Sequence, residues 1–340
     1  MTSSPIADGL VTKGQLLDAV DVLTEANRRQ RDPDVERRLV RLRHEAFAEI
    51  DRSEPDVRPP VAQCGQAPAA VRPVVSRSEL TPESLRSGIL EHGSLHVRGA
   101  VPLARVDELV EGIDRALAAA ESHASGLGGV EMTPWCEPFS AHPSYPKIMN
   151  RQLGNRRKWV QESGGVWTAD SPRMLFEFFD MLDSVGLRQL ITDYLGERPA
   201  LAIDKCTLRR VGLDTSTDWH QDGAFLGDGI RTVNMWLSLS HCGRDAPGLD
   251  IVPARLDHIV ETGTEGAKFG WSVGPGVVER VSAATPVSRP VFEPGDALFF
   301  DDLFLHRTAI DPSMSRERYA IETWFFAPSA YPEKYVPLMV

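Results

Sequence analysis

The sequence predicts a mostly β core with flanking helices, preceded by a helical segment. Three observations carry this reading. After Gly196 the chain turns into short runs rich in Val, Ile, Leu, Phe and Trp, punctuated by Gly and Pro. Before Gly196, apolar residues recur mostly at helical spacing. No internal repeat is visible, and no Gly-x-Gly-x-x-Gly follows a strand pattern, so a sandwich or barrel is favoured over a parallel α/β sheet.

Residues 1–57 read as an N-terminal helical extension. Leu16, Leu17, Val20 and Leu23 share one helix face. Asp32-Pro33-Asp34 interrupts the pattern and starts a second helix, on which Leu39, Leu42 and Phe47 mark the apolar side and Arg and Glu fill the other. Such an amphipathic pair either packs on the main domain as a solvated hairpin or provides a surface for a homo-oligomer. Residues 58–77, rich in Pro, Ala and Val with Pro59-Pro60 inside, read as an extended linker. Residues 78–340 form the main domain.

Within that domain, Thr81-Pro82-Glu83 opens a helix with a capping hydroxyl and a proline in its first turn. Residues 93–99 read as a short strand bounded by glycines, and residues 102–120 as a long amphipathic helix carrying Val106, Leu109, Val110, Ile113 and Leu117. Residues 122–170 show no clean period but hold Trp135, Tyr145, Trp159 and Trp167, which predicts a lid or binding loop. Arg156-Arg157-Lys158 lies in this stretch and is expected to be solvated surface, contact with an anionic substrate being the alternative. Residues 172–194 read as one helix with Leu175, Phe178, Phe179, Leu182 and Leu187 on its apolar face. Strands are then expected at 200–211, 232–240, 249–253, 287–292, 297–300 and 319–326, separated by turns at Gly243, Pro247-Gly248, Gly274-Pro275-Gly276 and Pro294-Gly295-Asp296.

The 340 residues carry a formal net charge of −11, which disfavours nucleic acid as a partner. Cys64, Cys136, Cys206 and Cys242 form no Cys-x-x-Cys pair and fit reduced thiols in a cytoplasmic protein. The first residues lack the basic-then-apolar pattern of a signal peptide, and no run of about 18 apolar residues is present, so no membrane span is expected.

The chemistry-bearing stretch is Asp218-Trp219-His220-Gln221-Asp222-Gly223. On an extended strand, His220 and Asp222 would point to one face. A second histidine, His306, ends the apolar run that begins at Leu298. Two histidines and one carboxylate around a metal leave positions open for substrate and oxygen, the facial triad of non-haem iron(II) oxygenases. The 86 residues from His220 to His306 leave room for the intervening strands of a double-stranded β-helix.

The motifs occur in a specific order. Trp219-His220-Gln221-Asp222 is followed by Asn234-Met235-Trp236-Leu237-Ser238-Leu239 and Gly248-Leu249-Asp250-Ile251-Val252-Pro253. Then come Pro294-Gly295-Asp296-Ala297-Leu298-Phe299-Phe300, His306 and Arg318-Tyr319-Ala320-Ile321. This order, over residues 78–330, resembles the phytanoyl-CoA dioxygenase (PhyH-like) family of iron(II)/2-oxoglutarate enzymes. The resemblance implies a cupin-like jelly roll in which His220, Asp222 and His306 bind Fe(II). It implies 2-oxoglutarate as co-substrate, O2 as oxidant, and a small-molecule substrate whose C–H bond is hydroxylated. Arg318, at the start of the strand Tyr319-Ala320-Ile321, would take the far carboxylate of 2-oxoglutarate, a task suited to a planar guanidinium; Arg316 is the alternative. Thr308 would face the same carboxylate, Trp236 would pack near the co-substrate, and Asn234 shares the strand face of Trp236. Halogenating relatives replace the carboxylate by a small residue, so Asp222 points to hydroxylation. Desaturation, cyclisation, epimerisation, a 2-oxoglutarate-independent cupin-type metal protein and a non-catalytic binding protein are the other readings.

The remaining candidates read as follows. His241 and His258 are expected at the surface, His96 in a strand and His142 in the lid. Trp135, Trp159, Trp167 and Trp271 are expected to be packing residues, although the Trp271 loop and the 122–170 stretch are the expected cover of the substrate. Arg209 and Arg210 lie on the strand leading to the motif, and one of them is a candidate for a substrate carboxylate or phosphate.

Overall fold

The computed structural model describes residues 4–53, 74–125, 134–145 and 147–340. Cys64 and most of the expected linker lie outside them. The chain begins with helices α1 (Pro5–Thr12), α2 (Leu16–Arg29) and α3 (Pro33–Ala46). Asp32 caps α3 through its side chain and Pro33 occupies the first turn, as the Asp-Pro-Asp break predicts. Leu16, Val20, Leu23, Leu39, Leu42 and Phe47 form one cluster with Phe176, Ala200 and Met339 of the main body. The buried Arg43 donates from Nη1 to the carbonyl of Met339 at 3.0 Å, and His44 Nδ1–H donates to that of Pro337 at 2.8 Å. The helices are therefore packed on the main body.

The next elements are β1 (Val74–Ser76), α4 (Pro82–His92), β2 (Ser94–Arg98), α5 (Leu103–Ala124), α6 (Lys147–Glu162), β3 (Gly165–Trp167), α7 (Pro172–Ser184) and α8 (Leu187–Leu195). They are followed by β4 (Ala200–Val211), α9 (Gly223–Leu226), β5 (Thr232–Ser238), β6 (Gly248–Ile251), α10 (Pro275–Val281), β7 (Ala297–Phe300), β8 (His306–Ala309), β9 (Arg318–Phe326) and β10 (Pro337–Met339). The major sheet runs β1-β2-β7-β5-β9-β4-β10, with β3 also paired to β4, and β6 and β8 make a separate two-stranded sheet. Alternation along the central strands sorts the core. Val233, Met235, Leu237, Ala297 and Phe299 face the helices, whereas Trp236, Leu298 and Phe300 pack with Leu249 and Ile251 of the minor sheet. Every residue of β5 is buried because both faces are covered. This two-sheet core with flanking helices is the jelly roll expected from the sequence.

Several expectations are corrected. Residues 74–76, assigned to the linker, form β1 alongside β2. The 122–170 stretch is not irregular throughout: it contains α6 and β3, and α6 escaped notice because its segment is mostly polar. The 172–194 helix is two helices, since Gly186 adopts a positive φ of 77° that ends α7 and starts α8. Residues 287–292 make only isolated bridges, Ser288 to Ile251 and Phe292 to Cys242, because prolines and turns flank them. Cys136, Cys206 and Cys242 are buried free thiols. Among the described residues, no helix is long and apolar enough to cross a membrane.

Candidate active site

His220 and His306 are neighbours across an antiparallel bridge, with reciprocal backbone hydrogen bonds of 3.0 and 3.1 Å. Their rings stand 4.4 Å apart, centre to centre. His220 Nδ1 lies 2.7 Å from the carbonyl of Asp218, and His306 Nδ1 lies 3.0 Å from that of Phe304. A carbonyl only accepts, so each Nδ1 donates and Nε2 is the nitrogen left to face the shared space. Both rings are thus oriented by bonds to the residue two positions upstream.

The carboxylate reaches the same point by a different local structure from that expected. The His220–Asp222 segment does not continue as an extended strand; Asp222 has helical backbone angles and begins α9. The turn brings its Oδ2 to 3.7 Å from His306 Nε2. Gly223 permits this turn: a Cβ there would lie 2.6 Å from Ile259 Cδ1 and 2.8 Å from Asp302 Oδ2. Gln221 points away and is fully buried. Its amide donates to the carbonyls of His258 at 3.0 Å and Leu303 at 2.6 Å and accepts from Val260 N at 2.7 Å. It therefore pins the turn to two other segments, a positioning role whose only sequence signal is its place between the two candidate ligands.

One donor atom from each of His220, Asp222 and His306 lies within 4.8 Å of the others. Asp222 is buried and its Oδ2 has no hydrogen-bond partner. Burial pushes its carboxyl up to about 6, against the pull of His220 and Lys205. Burial, reinforced by His220, pushes His306 down to about 3. A buried carboxylate without a donor is costly unless a cation completes it. The residues present therefore fit a divalent metal, and the donor set of two imidazoles and one carboxylate suits iron(II).

The three groups line a cavity of about 530 Å³. Its floor is buried and holds Trp236, Phe300, Arg318, Asp222 and His306; its rim is exposed and holds Trp159, Trp271 and Lys334. Arg318 lies 5.4 Å over the Trp236 ring and donates from Nη1 to the carbonyl of Gly248 at 3.3 Å, while its Nε has no partner. Burial lowers its guanidinium to about 10, still charged at neutral pH. No carboxylate pairs with it among the described residues, so a charged fork faces the cavity unmatched. Arg316, the alternative, is exposed and outside the lining. Thr308, on β8, lines the same space. Asn234 does not: it is wholly buried between Phe300 and Trp324 of the flanking strands, and neither amide atom has a partner.

The remaining candidates are distributed by strand alternation. On β4, Lys205, Thr207, Arg209 and Val211 line the cavity, while Arg210 faces outward to Glu317 at 2.8 Å. Arg156 and Trp159 of α6 line the cavity beside them, the Arg209 guanidinium lying 6.0 Å over the Trp159 ring. The basic cluster is therefore not solvated surface as expected: Arg156 pairs with Asp204 at 2.5 Å and Arg157 with Asp170 at 2.6 Å, leaving Lys158 exposed. Trp167 is a buried packing residue, as expected, but Trp159 and Trp271 are cavity residues, 57% and 36% exposed. Trp135 is half-buried. His241, His258 and His142 are exposed, and His96 is a buried strand residue held by Asp296 at 3.1 Å. Sequence reasoning missed Lys205, Phe225, Glu322 and Tyr335 as lining residues.

No protein-family profile and no curated protein sequence matches the chain. Among solved structures it is similar to EctD from S. alaskensis, crystallised with 2-oxoglutarate and 5-hydroxyectoine. The TM-score is 0.50 at 15% identity, over 83% of this chain and 87% of that one. AviO1 from Streptomyces viridochromogenes Tue57 has a TM-score of 0.45 at 18% identity, over 72% and 94% of the two chains. The non-haem α-ketoglutarate-dependent carbocyclase SnoK from nogalamycin biosynthesis has 0.44 at 14%, over 74% and 85%. At this level of identity the likeness to EctD shows a shared fold.

Proposed function

We propose that this chain is an iron(II)/2-oxoglutarate-dependent dioxygenase of the phytanoyl-CoA dioxygenase type. In this reading it hydroxylates an unactivated C–H bond of a small metabolite or natural-product intermediate and releases succinate and CO2. The observation that carries it is the convergence of His220, Asp222 and His306 within 4.8 Å, beside an unmatched buried Arg318 in one cavity. That a protein sharing this fold, EctD, was crystallised with 2-oxoglutarate supports the co-substrate.

In this reading the two Nε2 atoms and the Asp222 carboxylate hold the metal. Iron(II) with 2-oxoglutarate, when bound, couples reduction of O2 and loss of CO2 to oxidation of the substrate C–H bond. The chain's own residues orient and exclude. Arg318, whose Nε lacks a partner and whose guanidinium lies over Trp236, would take the distal carboxylate of the co-substrate, and Thr308 in the same cavity would offer it a hydroxyl. Asp218 and Phe304 carbonyls hold the imidazoles in one tautomer. Trp271 packs at right angles to the His220 ring at 5.9 Å and, with Trp159 also at the rim, would limit solvent access. Retention of Asp222 favours hydroxylation, because a carboxylate in that position leaves no ligand site for a halide.

The test is anaerobic titration of the protein with Fe(II) and 2-oxoglutarate. The reading expects the weak metal-to-ligand charge-transfer band, and expects Arg318→Ala to need at least tenfold more 2-oxoglutarate to form it. No band, or an unshifted titration in the variant, contradicts the reading. Substrate-dependent succinate release must also vanish in His220→Ala and His306→Ala.

A further inference from the structure

The cavity holds charges beyond those the proposed cofactors use. Arg156 is matched by Asp204 at 2.5 Å, and Arg209 is close to Glu322 at 3.7 Å and bonded to Ser163 Oγ at 2.9 Å. If iron(II) and 2-oxoglutarate bind as proposed, iron and Arg318 together offset Asp222 and the two carboxylates of the co-substrate. Two cations are then left over, Lys334 exposed at the rim and Lys205 half-buried within. Lys205 forms no ion pair or hydrogen bond among the described residues; its ammonium lies 4.0 Å from the centre of the Phe225 ring and 5.7 Å from that of Tyr335.

The backbone aims this lysine deliberately. The β4–β9 register shifts between Leu201 and Cys206, so Asp204 and Lys205, consecutive residues, both line the cavity. Irregularities of this kind re-aim side chains beside active sites. Phe225, which the ammonium overlies, sits 6.2 Å from His220 and 6.0 Å from Trp271, centre to centre. Lys205 therefore stands over a ring that neighbours both the candidate ligand His220 and the exposed Trp271, within the same cavity.

We propose that Lys205 is the substrate's anion site: the substrate carries a carboxylate, bound by the Lys205 ammonium, on a ring system that packs against Phe225 and Trp271. The inference rests on the dioxygenase reading for its charge matching. An ammonium over an aromatic face keeps its N–H donors free for a further acceptor, and a partly desolvated lysine–carboxylate contact is stronger than a neutral hydrogen bond.

The test uses matched pairs of probes, phenylacetate against phenylacetamide and indole-3-acetate against indole-3-acetamide. Their binding is followed by tryptophan fluorescence, since Trp159, Trp236 and Trp271 line the cavity. Titrations are run anaerobically on the full chain with and without Fe(II) and 2-oxoglutarate. The wild type is expected to bind each acid at least tenfold more tightly than its amide. Lys205→Met and Lys205→Gln abolish that preference, and Lys205→Arg keeps it. Equal affinity for acid and amide in the wild type, no binding of any acid, or a preference that survives Lys205→Met overturns the assignment. So does a tenfold loss of 2-oxoglutarate affinity in Lys205→Met, which would make the lysine a co-substrate anchor. The charge-transfer band recorded on the same samples separates the two readings. Its absence in the wild type removes the cofactor assignment. Its presence without a carboxylate preference removes the Lys205 assignment alone.

Discussion

Replacing Asp222 by Asn should stabilise the metal-free protein while abolishing its stabilisation by metal. Burial raises the Asp222 carboxyl from an ordinary 3.8 to about 6. A shift of roughly two units corresponds to about 3 kcal/mol, at about 1.4 kcal/mol per unit. The sign follows from linkage. The folded state binds the proton more tightly than the unfolded state, so this group opposes folding once it ionises, and the penalty grows from pH 3.8 to about 6 and then levels. Asparagine keeps the shape without the charge, but its amide also lacks a partner, which reduces the gain to about 1–2 kcal/mol. Urea unfolding with chelator at pH 8 should therefore show Asp222→Asn more stable than wild type, with the order reversed at pH 4, where the wild-type carboxyl is protonated in the folded state and only the unpartnered amide counts. Saturating Mn(II), at about a hundred times its Kd, should stabilise the wild type by about 2.7 kcal/mol and leave the variant unmoved. A metal-free variant less stable than wild type at pH 8, or one still stabilised by Mn(II), would refute the view that this carboxylate is an uncompensated metal ligand.

Three further outcomes are expected. Gly223→Ala forces the Asp222 turn off Ile259 and Asp302, and should weaken Mn(II) binding at least tenfold by isothermal titration; unchanged affinity would show that the turn has slack. Below pH 6 a metal must displace the Asp222 proton, whereas His306 stays neutral down to about 3. Mn(II) affinity should thus fall with decreasing pH below 6, approaching tenfold per unit, and a flat profile from pH 5 to 7.5 contradicts the ligand assignment. Leu23→Ala empties the cluster that joins α2 to Phe176 and Met339 and should cost about 2–5 kcal/mol in the main unfolding transition; a shift confined to a separate early transition would make the N-terminal helices an independent appendage.

The two-sheet core and the triad were legible from residue order because both are encoded by strong local signals. Near-continuous apolar runs at 233–237 and 297–300 declare strands with two covered faces, and His220, Asp222 and His306 are chemically distinctive side chains. The His-x-Asp spacing suggests extended backbone, whereas the carboxylate arrives through a turn that depends on the absence of a Cβ at Gly223 and on the two hydrogen bonds Gln221 donates and the one it accepts. These are long-range contacts with residues 258–260 and 302–303, and no local pattern announces them. The α6 helix was hidden by its mostly polar sequence, and the split at Gly186 by an apolar period that runs on across the break. Lys205 was invisible for a related reason. Strict alternation cannot place both Asp204 and Lys205 in the cavity; the shifted register does.

The central claim is tested most directly by a crystal structure of the protein grown anaerobically with Fe(II) and 2-oxoglutarate, with the metal located by its anomalous scattering. The account predicts a single strong peak bounded by His220 Nε2, His306 Nε2 and the Asp222 carboxylate, with the distal carboxylate of 2-oxoglutarate on Arg318 and Lys205 free. Iron bound elsewhere, or 2-oxoglutarate anchored on Lys205 with Arg318 unused, would contradict it.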